Sequence, residues 1–203
     1  MLRILGKIPR NPFVAVSGGI DSMVLLDFLI QGRHKPTAIY YNHGTEFGNQ
    51  AEKFLINRCQ ELNVELVIDR LAPNMMKLKN SDGGLENYWR NKRYEVFNSF
   101  PGTILTAHHL NDVAEWWIFS SMHGEGKLIP YQNKNVIRPF LMVEKEKIVD
   151  WAVRKNVKYI DDPSNSETKF KRNLIRHEIM PHALKINPGL LTVLKKKLYS
   201  AHK

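Results

Sequence analysis

The sequence predicts an α/β protein: a parallel five-stranded sheet with helices on both faces, followed by a small, basic, helical C-terminal segment. Short apolar runs of strand length alternate with stretches of helical spacing, the pattern of strand-helix-strand units in a parallel sheet. Polar, glycine-containing motifs recur where those strands end, which is where open parallel sheets bind ligands. The 203 residues are 43% hydrophobic and 25% charged, enough for one sizeable core. The main domain is assigned to residues 1–188 and a basic tail to residues 189–203.

Each element has a local warrant. "PFVAVS" reads as a short buried strand, and "SMVLLDFLIQG" as a helix stopped by Gly32. "TAIYYNHG" is a second strand running into a glycine turn. In "NQAEKFLINRCQELN", Ala51, Phe54, Leu55 and Cys59 fall at helical spacing, and "VELVIDRL" is a third strand. "LENYWRNKRYEVFNSF" is helical, "GTILTAHH" a fourth strand, and "DVAEWWIFSSMHG" a helix that stops at Gly124. "NVIRPFL" is a fifth strand with Pro139 near its end, and "EKEKIVDWAVRKN" a helix with opposite charges interleaved on its surface. The turn-rich "DDPSNSETKFKRN" opens another helix, and "PHALKINPGLLTVLKKKLYSAHK" adds a last one with a Lys195 to Lys197 run.

Composition narrows the function classes. No stretch approaches the roughly 20 uninterrupted apolar residues that cross a bilayer, and "MLRILGKIPRNPF" is too interrupted for a secretory signal, so a soluble protein is expected. The single cysteine, Cys59, rules out a disulfide framework or a Cys-rich zinc site and suits a reducing cytoplasm. The formal charge is +10, and from Arg154 to Lys203 twelve Lys or Arg face four Asp or Glu. Such asymmetry is the footprint of a polyanion partner or of a solubilising tail.

The most specific chemistry lies in "SGGIDS". A strand ending in Ser17-Gly18-Gly19 and entering a helix at Ile20 or Asp21 offers free N–H groups at the helix's positive end, and Ser17 and Ser22 add hydroxyls. This is a phosphate cradle, although it has neither the Lys-Ser/Thr ending of a Walker loop nor the spacing of GxGxxG. The competing reading is a plain strand-to-helix turn with Asp21 favourable in the first helical turn.

"SGGIDS" after a first strand resembles the pyrophosphate loop of the PP-loop ATP pyrophosphatases, whose fold is Rossmann-like. The later motifs are similar to those of the tRNA(Ile)-lysidine synthetases. These are "YNHGTEFGNQAEKFL", "ENYWRNKRYEVF" with Glu86, Arg90, Arg93 and Tyr94, "AHHLNDVAE", and "DDPSNSETKFKRNLIRHEIMP". The likeness runs from Phe13 to about Pro188.

That resemblance implies a ligase that uses ATP to adenylate the wobble cytidine of a tRNA(Ile) with a CAU anticodon, after which free lysine displaces AMP to give lysidine. ATP would sit on Ser17, Gly18, Gly19, Ile20, Asp21 and Ser22, with His43, His108 and Arg90 beside it. Arg90 would stabilise charge on the α-phosphate. Mg2+ would accompany ATP, with Asp21 as a ligand directly or through water. His109, Asp112 and Glu115 would meet lysine or cytidine, the two carboxylates holding and deprotonating the ammonium. Asp21, Arg90, Asp112 and Glu115 form the expected catalytic set. Lys169, Arg172 and Arg176 would meet tRNA phosphates.

Plainer readings stand beside these. Asp112 and Glu115 also read as N-cap and N3 of a helix, and Arg172 and Arg176, at i and i+4, also read as a solvated face. Adjacent His108 and His109 point to opposite sides of a strand, which argues against zinc. Trp116 and Trp117 read as core or interface residues. The chain departs from the family pattern at Asn111, where an acidic residue is expected, and in reading as a short form without the usual C-terminal domains. Another tRNA-modifying PP-loop enzyme is one alternative, although thiolating relatives depend on paired cysteines and only Cys59 is present. A catalytically impaired tRNA- or ATP-binding homologue is another.

Overall fold

The computed structural model describes residues 2–70, 84–163 and 171–202, with backbone alone for 84–89. Its elements run β1 (Phe13–Ala15), α1 (Ile20–Gln31), β2 (Thr37–Asn42), α2 (Glu46–Glu61), β3 (Leu66–Arg70), α3 (Gly84–Ser99), β4 (Ile104–Leu105) and α4 (Leu110–Met122). They continue through β5 (Gln132–Asn133), β6 (Val136–Ile137), α5 (Lys145–Lys155), α6 (Lys171–Leu174), a π-helical turn (Ile175–Ile179), α7 (Met180–Ile186) and α8 (Leu190–Ala201).

The sheet order is β3-β2-β1-β4-β6-β5. All pairs are parallel except β5 with β6. The sixth strand is a departure from the expected five. Gln132–Asn133 folds back antiparallel on Val136–Ile137 through Lys134, whose φ of 53° makes the turn without glycine. Two exposed polar residues carry no strand pattern that a sequence reading could detect.

Alternation across the pleat splits the core. Val14, Val16, Ala38 and Tyr40 pack under α1, α2 and α5 through residues such as Leu25, Leu55 and Ile148. Ile39, Ile104 and Val136 pack on the opposite side with Phe97 of α3. Helices α1 and α5 are locked by an edge contact of Phe28 with Trp151, and the Trp151 indole donates to Asp27 at 2.7 Å. Cys59 is buried in α2.

The segment read as a basic tail is bound to the main body. Leu190, Leu194 and Leu198 lie one helical turn apart and are buried with Leu110, Val113 and Ala114 of α4, and Lys195 pairs with Glu144. Among the described residues no helix is long and apolar enough to cross a membrane.

This topology fixes where a site can form. Strand β1 has β2 on one side and β4 on the other, so the chain reverses its winding between β1 and β4. Loops leaving the carboxyl ends of those two strands diverge there and leave a crevice. They carry Ser17–Gly19 and Thr106–His109.

Candidate active site

The phosphate loop has the expected backbone. Gly18 has φ +83°, and a Cβ there would stand 3.1 Å from Ile160, whose own N–H donates to the Gly18 carbonyl at 2.9 Å. Gly19 is the N-cap of α1 and supplies no side-chain acceptor, so the first-turn amides of Ile20, Asp21 and Ser22 receive no side-chain cap. Ser22 braces the loop by accepting the Ser17 N–H at 3.1 Å and donating to the Gly19 carbonyl at 2.9 Å.

A cavity of about 660 Å³ opens over this loop. That volume lies within the roughly 300–1,000 Å³ of small-molecule sites. Ser17, Asp21 and Ser22 line it, together with His43, Thr45 and Phe47. Arg93, Tyr94 and Phe97 come from α3, Thr106, His108 and Asp112 from the β4–α4 junction, and Asp162, Arg172 and Arg176 from the later chain.

Two expected placements need correction. Arg90 does not line the cavity: its guanidinium lies over the Tyr94 ring, 5.3 Å from the centroid, and Arg93 takes the wall position. Arg172 and Arg176 do not form an open stripe. Arg172 donates to Glu115 at 3.1 Å and to Asp112 at 2.6 Å, and Arg176 donates to Glu115 at 2.7 Å. The carboxylates are nearly enclosed, with side chains 8% and 3% exposed, while the arginines remain 41% and 36% exposed. Lys169 and the Glu86 side chain lie outside the described residues.

Helix α4 begins two residues earlier than expected. His109 is the N-cap and Asp112 stands at N3, where its Oδ2 accepts the His109 N–H at 2.8 Å. Its Oδ1 is left for Arg172, so capping and a cavity role are compatible in one carboxylate. The buried His109 ring sits between the loop and the helix, with Nε2 3.7 Å from Asp21 and 3.6 Å from Asp112.

The electrostatics follow from this enclosure. Burial alone would raise the Asp112 carboxyl, but His109, Arg172, His108 and the His109 N–H outweigh it and hold the group well below the usual carboxylate range. Asp112 is therefore suited to anchoring a cation and poorly suited to accepting a proton. Burial lowers His108 to about 3, with Arg172, Arg138 and Arg93 adding to the effect against Asp112. Burial, then Arg93, lowers His43 to about 4. Both rings are neutral near pH 7, and His108 Nδ1 is 2.9 Å from the Thr106 hydroxyl.

The donor set suits ATP with Mg2+. Asp21 and Asp162 line the cavity, and among the described residues no cluster of three His, Cys, Asp or Glu is poised for a metal. One or two carboxylates plus substrate phosphates is the ordinary way proteins hold Mg2+. Asp21 is also tied to the ammonium of Lys145, 2.5 Å away, a partner that the sequence reading missed. It missed Thr45, Phe47, Asp162 and Asn173 as lining residues too.

Comparisons with known proteins agree with this architecture. A tRNA(Ile)-lysidine synthase of Thermosipho africanus is 35% identical over 86% of this chain and 44% of its own length. One from Francisella philomiragia is 31% identical over 96% of this chain and 51% of its own length. The chain thus spans about half the length of these curated relatives. Among solved structures, the U34-tRNA thiolase NcsA of Methanococcus maripaludis, with its [4Fe-4S] cluster, superposes with a TM-score of 0.71 at 18% identity, covering 96% of this chain and 72% of that one. A glutamine-dependent NAD+ synthetase of Acinetobacter baumannii superposes with a TM-score of 0.50 at 16% identity, over 72% of this chain and 29% of that one. These two likenesses concern the fold. The PP-loop domain model matches residues 5–183, and with the glycine loop at the β1–β4 switch point the chain belongs to the PP-loop domain family.

Proposed function

We propose that this chain is an ATP-dependent ligase that joins lysine to the wobble cytidine of a tRNA(Ile) with a CAU anticodon, in the cytoplasm. The supporting observation is that one cavity holds both an uncapped phosphate loop and the ionised Asp112. The similarity to tRNA(Ile)-lysidine synthases supplies the substrates.

In this reading the amides of Ile20, Asp21 and Ser22 receive the polyphosphate, and the neutral His43 and His108 contribute hydrogen bonds without added charge. Asp21 and Asp162 would hold Mg2+, which supplies charge neutralisation to the phosphates when bound. Arg93, which also lines the cavity, would stabilise developing negative charge. Asp112 and Glu115 anchor the lysine ammonium, which enters by sharing carboxylate oxygens now taken by Arg172 and Arg176. The exposed faces of those arginines remain open to tRNA phosphate, as does the basic α8. Thiolation is disfavoured because Cys59 is buried in α2 and burial pushes its thiol up to about 11.

The test is mass spectrometry of nucleosides from tRNA(Ile) incubated with protein, ATP and lysine. A lysine-sized mass gain on cytidine is expected. Its absence, with tRNA and ATP binding intact, would support a catalytically impaired binder.

A further inference from the structure

Arg138 directly follows β6, at the same carboxyl edge of the sheet as the phosphate loop. It is 3% exposed, and no carboxylate pairs with it among the described residues. One terminal nitrogen donates to the Pro130 carbonyl at 2.8 Å and the other to the Tyr94 hydroxyl at 2.9 Å, while Nε is buried without a partner. A guanidinium enclosed without a counter-ion is costly and calls for compensation from an anion nearby. Tyr94 lies between this charge and the cavity, which it lines. Because its oxygen accepts from Arg138, its proton must be donated elsewhere, and no described residue takes it.

We propose that Arg138 is a positioning residue that orients the Tyr94 hydroxyl as a donor to an anionic phosphate oxygen of a nucleotide in the cavity. The proposal rests on reading the cavity as a nucleotide site. The bound anion completes the pairing that Arg138 lacks, with the tyrosine proton as the relay. Arg93, one residue before Tyr94, also lines the cavity.

The test is calorimetric titration of ATP and of adenosine into the unmodified chain, Arg138→Gln, Tyr94→Phe and the double variant, with folding checked by circular dichroism. Tyr94→Phe removes one hydroxyl and keeps the ring, so it reports even if Arg138→Gln does not fold. Each single variant is expected to weaken ATP about tenfold, the worth of a hydrogen bond to a charged group, and to leave adenosine unchanged. The double variant should weaken ATP no further than either single one, because the two residues act as a unit. An unchanged ATP affinity in Tyr94→Phe, multiplicative losses in the double variant, or an equal loss of adenosine affinity would each overturn the proposal. If the unmodified chain binds neither ligand, the nucleotide reading itself has failed, an outcome separate from variants failing while the unmodified chain binds ATP.

Discussion

Asn111 Oδ1 accepts the backbone N–H of Lys145, the first residue of α5, at 2.9 Å. The asparagine that departs from the expected acidic residue therefore caps a neighbouring helix, which its own N-cap, Glu144, does not do through its side chain. A carboxylate oxygen would accept the same N–H and favour the positive helix end. Asn111→Asp is expected to keep stability and Asn111→Ala to lose about 1 kcal/mol, as for other lost caps. Denaturant midpoints of the three proteins measure this, and equal midpoints for asparagine and alanine would remove the capping role.

Asp21 joins the loop to α5 through Lys145 and stands beside His109. The pair is about one-third exposed at each partner, so its loss costs less than about 1 kcal/mol. Asp21→Ala is accordingly expected to remain folded and, on the proposed function, to lose ATP-dependent adenylation of tRNA, measured by pyrophosphate release. Near-normal release in a folded variant would refute the assignment of this loop.

Gly18 combines a left-handed φ of +83° with close packing against Ile160. Gly18→Ala should cost about 1–2 kcal/mol, from backbone strain and the steric conflict. Thermal denaturation gives the stability, and calorimetry should show weaker ATP binding as the loop shifts.

The Asp112–Glu115–Arg172–Arg176 cluster fastens α4 to α6 and the π-helical turn. Arg172→Ala leaves two enclosed carboxylates with one arginine, and a loss of about 2 kcal/mol is expected, below the roughly 3–5 kcal/mol of a fully buried pair because the arginines are half exposed. Urea unfolding checks the magnitude. A stability change near zero would mean that the Arg172 ion pairs add nothing net to folding.

The two depressed histidines set a pH dependence. His43 and His108 have folded values of about 4 and about 3 against 6.5 unfolded. Above pH 6.5 neither state takes a proton and their full contribution is present. As the pH falls from 6.5 the unfolded chain binds protons first, so stability declines until the folded values are reached. Denaturant midpoints between pH 7.5 and 4.5 should fall, and the fall should shrink in His43→Gln. A flat profile would mean that the two rings titrate in the folded chain as they do in the unfolded one.

Much of this protein was legible from local pattern. The strand and helix order and the glycine turn between β1 and α1 follow from hydrophobic periodicity and glycine placement, which act over a few residues, whereas the switch point depends on a strand order that only the sheet reveals. The "HHLND" segment was legible only in part. Its helix begins at Leu110 because His109 takes the extended N-cap conformation, and that moves Asp112 from cap to N3.

What the sequence by itself determined is the order of strands and helices and a glycine turn at the end of β1, because backbone conformation there depends on adjacent residues. Tertiary structure alone decided the partners. It brought Arg172 and Arg176 onto carboxylates 57 to 64 positions away, placed Arg138 on Tyr94 across 44 positions, and set Asn111 on α5. Periodicity tells which face of a helix is buried, but the packing of that face on the sheet determines which side chain it meets.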